Sequence, residues 1–187
     1  MRSILPIIAL PLAISVPALA EAQIVPVPSF KAVELRGGGD LSIVPGPVQR
    51  VTIVRGSTQF TTVRTDRDGK LVIDACNAQC PHNYPLLIRV ESPQVPTVAV
   101  RAGGTITVGN GFAPQRDVVA AVSAGGTIDL RALPADRAVA AVNAGGDIYV
   151  RPRTALTAAV NNGGDIHYSG NPAVTMAVQG GGDVSRD

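Results

Sequence analysis

Six times along this chain a run of small and aliphatic residues reaches a glycine pair or triplet and resumes with an aliphatic residue: LRGGGDL, VRAGGTI, VSAGGTI, VNAGGDI, VNNGGDI and VQGGGDV. The last glycines of the final five copies, Gly104, Gly126, Gly146, Gly164 and Gly182, lie 22, 20, 18 and 18 residues apart. A fixed period of this size is the mark of stacked structural units, each covering the apolar face of the last. Val-, Ile- and Thr-rich windows broken by glycine at every repeat cannot carry a 3.6-residue apolar stripe, so the units are built of strand.

Alignment on the last glycine exposes columns. Four residues before it stand Val100, Val122, Val142, Val160 and Val178, with Leu35 as the early match. Two residues after it stand Ile106, Ile128, Ile148, Ile166 and Val184, matched early by Leu41. Both columns are expected to face inward. Val98, Ala120, Ala140, Ala158 and Met176 share the side of the valines, because strand side chains alternate with period two. Two or three short strands per repeat, paired in parallel with the next repeat about 4.8 Å away, predict an all-β chain folded as a parallel β-helix (solenoid). The glycines mark a sharp corner. The residues just before the corner motif, Arg101, Ser123, Asn143, Asn161 and Gln179, are expected to stack as a polar ladder that satisfies corner backbone groups.

Residues 1–20 read as an export signal: Arg2, an apolar run from Ile4 to Leu19, and the small-x-small cleavage pattern Ala18-Leu19-Ala20. Residues 21–187 then form one domain, with strand-rich opening coils over 21–96 and the glycine-punctuated repeats over 97–187. In the opening part the strand segments FKAVELR, LSIV, VQRVTIVR, FTTVRT, KLVIDA and LLIRVE are separated by turn residues. No later segment has the apolar length of a membrane-crossing helix. The net charge is +2 with both signs interspersed, and three Phe, three Tyr and no Trp are few rings for stacking bases. No nucleic-acid partner is expected. Cys76 and Cys80 are the only cysteines, and in an exported chain they read as a disulfide. The competing reading joins them with His82 as a metal site, for which no fourth ligand is at hand.

The opening strands, the KLVIDA segment, the passage LLIRVESPQVPTVAV and the repeats that follow together resemble the GIN-domain family of auto-transporter adhesin heads, from about Phe30 to Val184. The resemblance implies a right-handed parallel β-helix in the periplasm or on the cell surface, and a role in adhesion. It carries over no catalytic or ligand-binding residue.

Residues one and three positions beyond the last glycine should point outward. They give the columns Thr105, Thr127, Asp147, Asp165, Asp183 and Thr107, Asp129, Tyr149, His167, Ser185. The candidate ligand-binding residues are therefore Asp129, Asp147, Tyr149, Asp165, His167 and Asp183. Stacked carboxylates repel unless they are solvated, paired with arginine or bridged by a cation such as calcium. A plain reading as corner chemistry on a solvated face stands beside a cation site and a glycan-binding groove using Tyr149 and His167. Otherwise no cofactor and no catalytic residue is expected. The leading functional expectation is an exported, non-enzymatic binding or surface-interaction module contacting a glycan or cell-surface component. A polysaccharide-cleaving enzyme and a purely structural envelope protein are the alternatives. The short last copy, MAVQGGGDVSRD, leaves a strand edge that invites self-association through the C-terminal coil.

Overall fold

The structure, a computed structural model, describes residues 22–187. The export signal read at residues 1–20 lies outside them. The described residues form strands and no helix, so no helix is long and apolar enough to cross a membrane. The opening part holds β1 (Gln23–Val25), β2 (Ala32–Arg36), β3 (Asp40–Pro45), β4 (Arg50–Arg55), β5 (Thr62–Thr65), β6 (Lys70–Asp74) and β7 (Leu87–Ser92). The repeats then contribute strands in pairs, one long and one short. These are β8 (Thr97–Arg101) with β9 (Thr105–Val108), β10 (Gln115–Ser123) with β11 (Thr127–Asp129), and β12 (Ala135–Asn143) with β13 (Asp147–Val150). The last two pairs are β14 (Pro152–Asn161) with β15 (Asp165–Tyr168), and β16 (Ala173–Gln179) with β17 (Asp183–Arg186).

The strand before each glycine corner enters an eight-stranded sheet, β16-β14-β12-β10-β8-β2-β6-β5, and the strand after it enters a nine-stranded sheet, β1-β4-β7-β3-β9-β11-β13-β15-β17. From β8 onward every pairing is parallel and in the register set by the glycines: Val100, Val122, Val142, Val160 and Val178 are direct neighbours in one sheet. Ile106, Ile128, Ile148, Ile166 and Val184 are direct neighbours in the other. Alternation then points both columns at each other, and the inner faces merge into a single apolar core. Each fully buried isoleucine in it, such as Ile148, contributes roughly 1.5–3 kcal/mol.

The corner itself is three residues in left-handed backbone. Ala102, Ala124, Ala144 and Asn162 have φ of 58°, 58°, 60° and 56°, and the two glycines after each also have positive φ. The first two N–H groups of the corner are met by backbone, which corrects the expected polar ladder. The N–H of Ala124 donates to the carbonyl of Asn143, that of Gly125 to Gly145, and that of Asp147 to Gly126. Asn143 and Asn161 do stack in register, but it is the next repeat's carbonyls, not these side chains, that accept from the first two N–H groups of each corner.

One further expectation, that Met176 and Val178 lie in buried columns, is corrected at the C-terminal end of the sheets. The opening strands do not stack in chain order: β6 and β7 lie on the far side of β2 and β3, so the early LRGGGDL copy sits directly against β8 and β9. Antiparallel β5, and β4 with β1 beyond it, complete that end. At the other end Met176 and Val178 are 61% and 43% exposed, although they continue columns that are buried elsewhere. Their strand, β16, is the edge of its sheet, so no further layer covers them.

On the outer face of the eight-stranded sheet Glu34 is only 4% exposed, roofed by cations from three adjacent strands. Arg36 Nε lies 2.5 Å away, Lys70 Nζ 2.8 Å and Arg101 Nε 3.4 Å. Burial pushes the Glu34 carboxyl upward, but hydrogen bonds from Arg36 and Lys70 outweigh it and hold the group below the usual carboxylate range.

Candidate functional site

The outer face of the nine-stranded sheet is built by the residues that flank the buried isoleucines. Register places Thr105, Thr127, Asp147, Asp165 and Asp183 side by side, and Thr107, Asp129, Tyr149, His167 and Ser185 beside them. Asp40 extends the first column through its pairing with Thr105. It was absent from the candidate residues, though the aspartate beside Leu41 in the early copy was the available signal.

Asp129 is clamped. Both of its carboxylate oxygens accept from the Arg131 guanidinium, at 3.0 and 2.6 Å, and the Arg131 backbone N–H donates to it at 3.0 Å. The guanidinium hydrogen bonds hold its carboxyl below the usual range, against the opposing effect of partial burial. The same guanidinium lies over the Tyr149 ring, 4.8 Å from its centre. On the side of the next strand His167 stacks on Tyr149, with centroids 4.7 Å apart and planes 11° apart. Tyr149 is thus sandwiched between a guanidinium and an imidazole, since β13 lies between β11 and β15. Nδ1 of His167 in turn faces Ser185 Oγ at 3.3 Å and Asp187 Oδ1 at 3.5 Å. Arg131 and Asp187 escaped the sequence reading because they lie outside the aligned columns. The pattern Asp-x-Arg at 129–131 was the signal for the first.

One donor atom each from Asp147, Asp165 and His167 lie within 4.8 Å of one another. Of the six candidate residues, these three converge, Tyr149 packs on one of them, Asp129 is engaged by Arg131, and Asp183 continues the column outside that group. Cys76 and Cys80 form a disulfide. That bond consumes both thiols of the competing metal reading with His82.

The face is open. A hollow of about 430 Å³ lies elsewhere, along Phe30, Gln49, Val95, Gln115 and Val118, and takes none of its lining from the six candidates.

Comparison with known proteins agrees with the repeat pattern. Residues 110–172 match the family described as "Putative auto-transporter adhesin, head GIN domain". The resemblance to the GIN-domain family holds over that stretch. Among solved structures, a "putative adhesin" from Bacteroides fragilis NCTC 9343 is similar with a TM-score of 0.56 and 15% identity, covering 89% of this chain and 96% of that one. A second "putative adhesin", from Parabacteroides distasonis ATCC 8503, has a TM-score of 0.49 and 15% identity over 89% and 96% of the two chains. At this identity the first likeness is one of fold. No curated protein matched. The matched stretch spans β10 to β15 entire, and so contains Asp129, Asp147, Tyr149, Asp165 and His167.

Proposed function

We propose that this chain is an exported, non-enzymatic surface-interaction module. In this reading it folds as a right-handed parallel β-helix and contacts a glycan or other cell-surface component through the outer face of its nine-stranded sheet. The observation that carries the reading is the ordered row Asp129–Arg131–Tyr149–His167–Ser185. Its side chains are already fixed by stacking and hydrogen bonds, so little rotamer entropy is lost when a partner arrives.

The sandwich also narrows what the face can do. With both faces of Tyr149 covered, recognition falls to the phenol hydroxyl, the ring edges and the aspartates, and a partner bearing many hydroxyl groups fits such a row better than an apolar one. A glycan array probed with the full chain and with Tyr149→Ala tests the proposal. Binding that falls in the variant supports it. Release of oligosaccharide by the wild-type chain would establish the enzyme alternative instead, and neither binding nor turnover would leave a structural envelope protein.

A further inference from the structure

We propose that Asp147, Asp165 and His167 bind a divalent metal ion of the zinc class on the outer face of the nine-stranded sheet. The inference goes beyond the surface-interaction reading and does not depend on it. The residues stand on adjacent strands β13 and β15, and one donor atom from each lies within 4.8 Å of the other two. Zinc bonds of about 2.0–2.1 Å arranged tetrahedrally need donors roughly 3.3 Å apart, a distance that small side-chain rotations reach.

Two observations besides proximity carry the argument. The first is charge. Asp117, Asp129 and Asp136 are each matched by an arginine with a nitrogen 2.6 Å from a carboxylate oxygen, namely Arg137, Arg131 and Arg153. Asp147 and Asp165 are strand neighbours in direct register, and among the described residues neither has a lysine or arginine in ion-pair range. Two carboxylates at one inter-strand spacing repel, and a bound cation removes the repulsion that the chain's own arginines leave in place. The second is the imidazole. His167 is the one histidine stacked on an aromatic ring, and Ser185 and Asp187 meet its Nδ1. A hydroxyl and a carboxylate that fix a ring's orientation are the kind of outer partner that positions a metal-binding histidine.

The donor set also selects the ion. Calcium takes six to eight oxygen ligands, whereas one imidazole and two carboxylates on a rigid sheet suit zinc, with an open position for water or a partner's oxygen.

The test is calorimetric titration of the full chain, carrying no histidine tag, with zinc chloride and separately with calcium chloride, while the ring signals of His82 and His167 are followed by NMR. We expect saturable zinc binding that shifts the His167 signals and leaves those of His82 in place. We expect affinity to fall at least about tenfold in Asp165→Asn and in His167→Gln, and to be unchanged in Asp117→Asn. The proposal is overturned if the wild-type chain takes up no zinc, if the His167 signals stay fixed during uptake, or if calcium binds as tightly as zinc. The NMR readout uses the unaltered chain, so a variant that folds poorly does not shield the proposal.

Discussion

The chain passes from the eight-stranded to the nine-stranded sheet in two different ways. In the repeats it uses three residues of left-handed backbone, as at Ala144, Gly145 and Gly146. Between β6 and β7 it uses the long loop 75–86, which carries the Cys76–Cys80 disulfide in its first half. The tight corner is specified by the layer before it: a Cβ on Gly146 would lie 2.5 Å from Val122 Cγ1 and 2.6 Å from the Gly126 carbonyl. The loop is specified by its own side chains. Tyr84 reaches Thr61 at 3.1 Å and packs edge-on against Phe60, and Asn77 donates to the Gln59 carbonyl at 2.7 Å. A corner that repeats must be small because every copy is pressed against another. A corner used once, near the antiparallel end, can be large.

The largest expected effect separates the two glycines of one tight corner. Gly146→Ala forces a methyl into the preceding corner and strains a φ of 102°, and should cost about 3–5 kcal/mol. Gly145→Ala has nothing within 4 Å and only the strain of φ 92°, about 1–2 kcal/mol. Urea denaturation of the pair measures the gap. Equal losses would mean that close stacking of successive corners does not decide the sequence.

Next comes the junction of the two corner types. Glu34 on β2 gathers Lys70 from β6, Arg36 from its own strand and Arg101 from β8, and so ties the layer with the loop corner to the layers with glycine corners. Glu34→Gln should cost about 2–3 kcal/mol at pH 7, less than a fully buried pair because the cations are partly exposed. The sign with pH follows from the lowered folded-state value. The stabilisation is fully present above the unfolded carboxyl's pKa of about 4.3 and is lost as pH falls through the lower folded value. Denaturation at pH 7 and at pH 3 should therefore show the wild-type advantage over Glu34→Gln shrinking in acid. An advantage that stays constant would assign Glu34 a role in packing alone.

The loop corner is weaker still. Its cysteines are separated by 4 positions, so their bond restricts a short loop of the unfolded chain, and the double change Cys76→Ser, Cys80→Ser should cost about 2 kcal/mol. Thermal melting with and without reductant checks the figure. A loss as large as that of Gly146→Ala would show the loop corner to be as tightly specified as the glycine corner.

The same contrast explains what could be read beforehand. The valine and isoleucine columns were legible because alternation and a fixed distance to the glycines determine which side chains meet, and Tyr149 and His167 fell into one column for that reason. The place of β6 and β7 beyond β2 was not, because no local pattern says on which side of a layer a later strand will pair. Met176 was misplaced for a related reason: its strand repeats the apolar pattern, but burial needs a neighbour that a pattern does not supply. Arg131 was missed because it acts across the stack from just beyond a strand end, where column alignment stops.

The smallest effect concerns the first residue of the tight corner. Ala144 holds φ at 60°, a region that costs an L-residue with a Cβ roughly 1–2 kcal/mol. Three copies place alanine there, one asparagine, and the first and last glycine, at Gly37 and Gly180. Ala144→Gly removes the Cβ strain but gives the unfolded chain more freedom, and the two terms leave a net gain of about 0.5–1 kcal/mol. A rise in melting temperature without a change in denaturant dependence is the expected result. A fall would mean that the alanine methyl is held by contacts with the neighbouring corners, and that the first corner position, like the third, is shaped by the layer beside it.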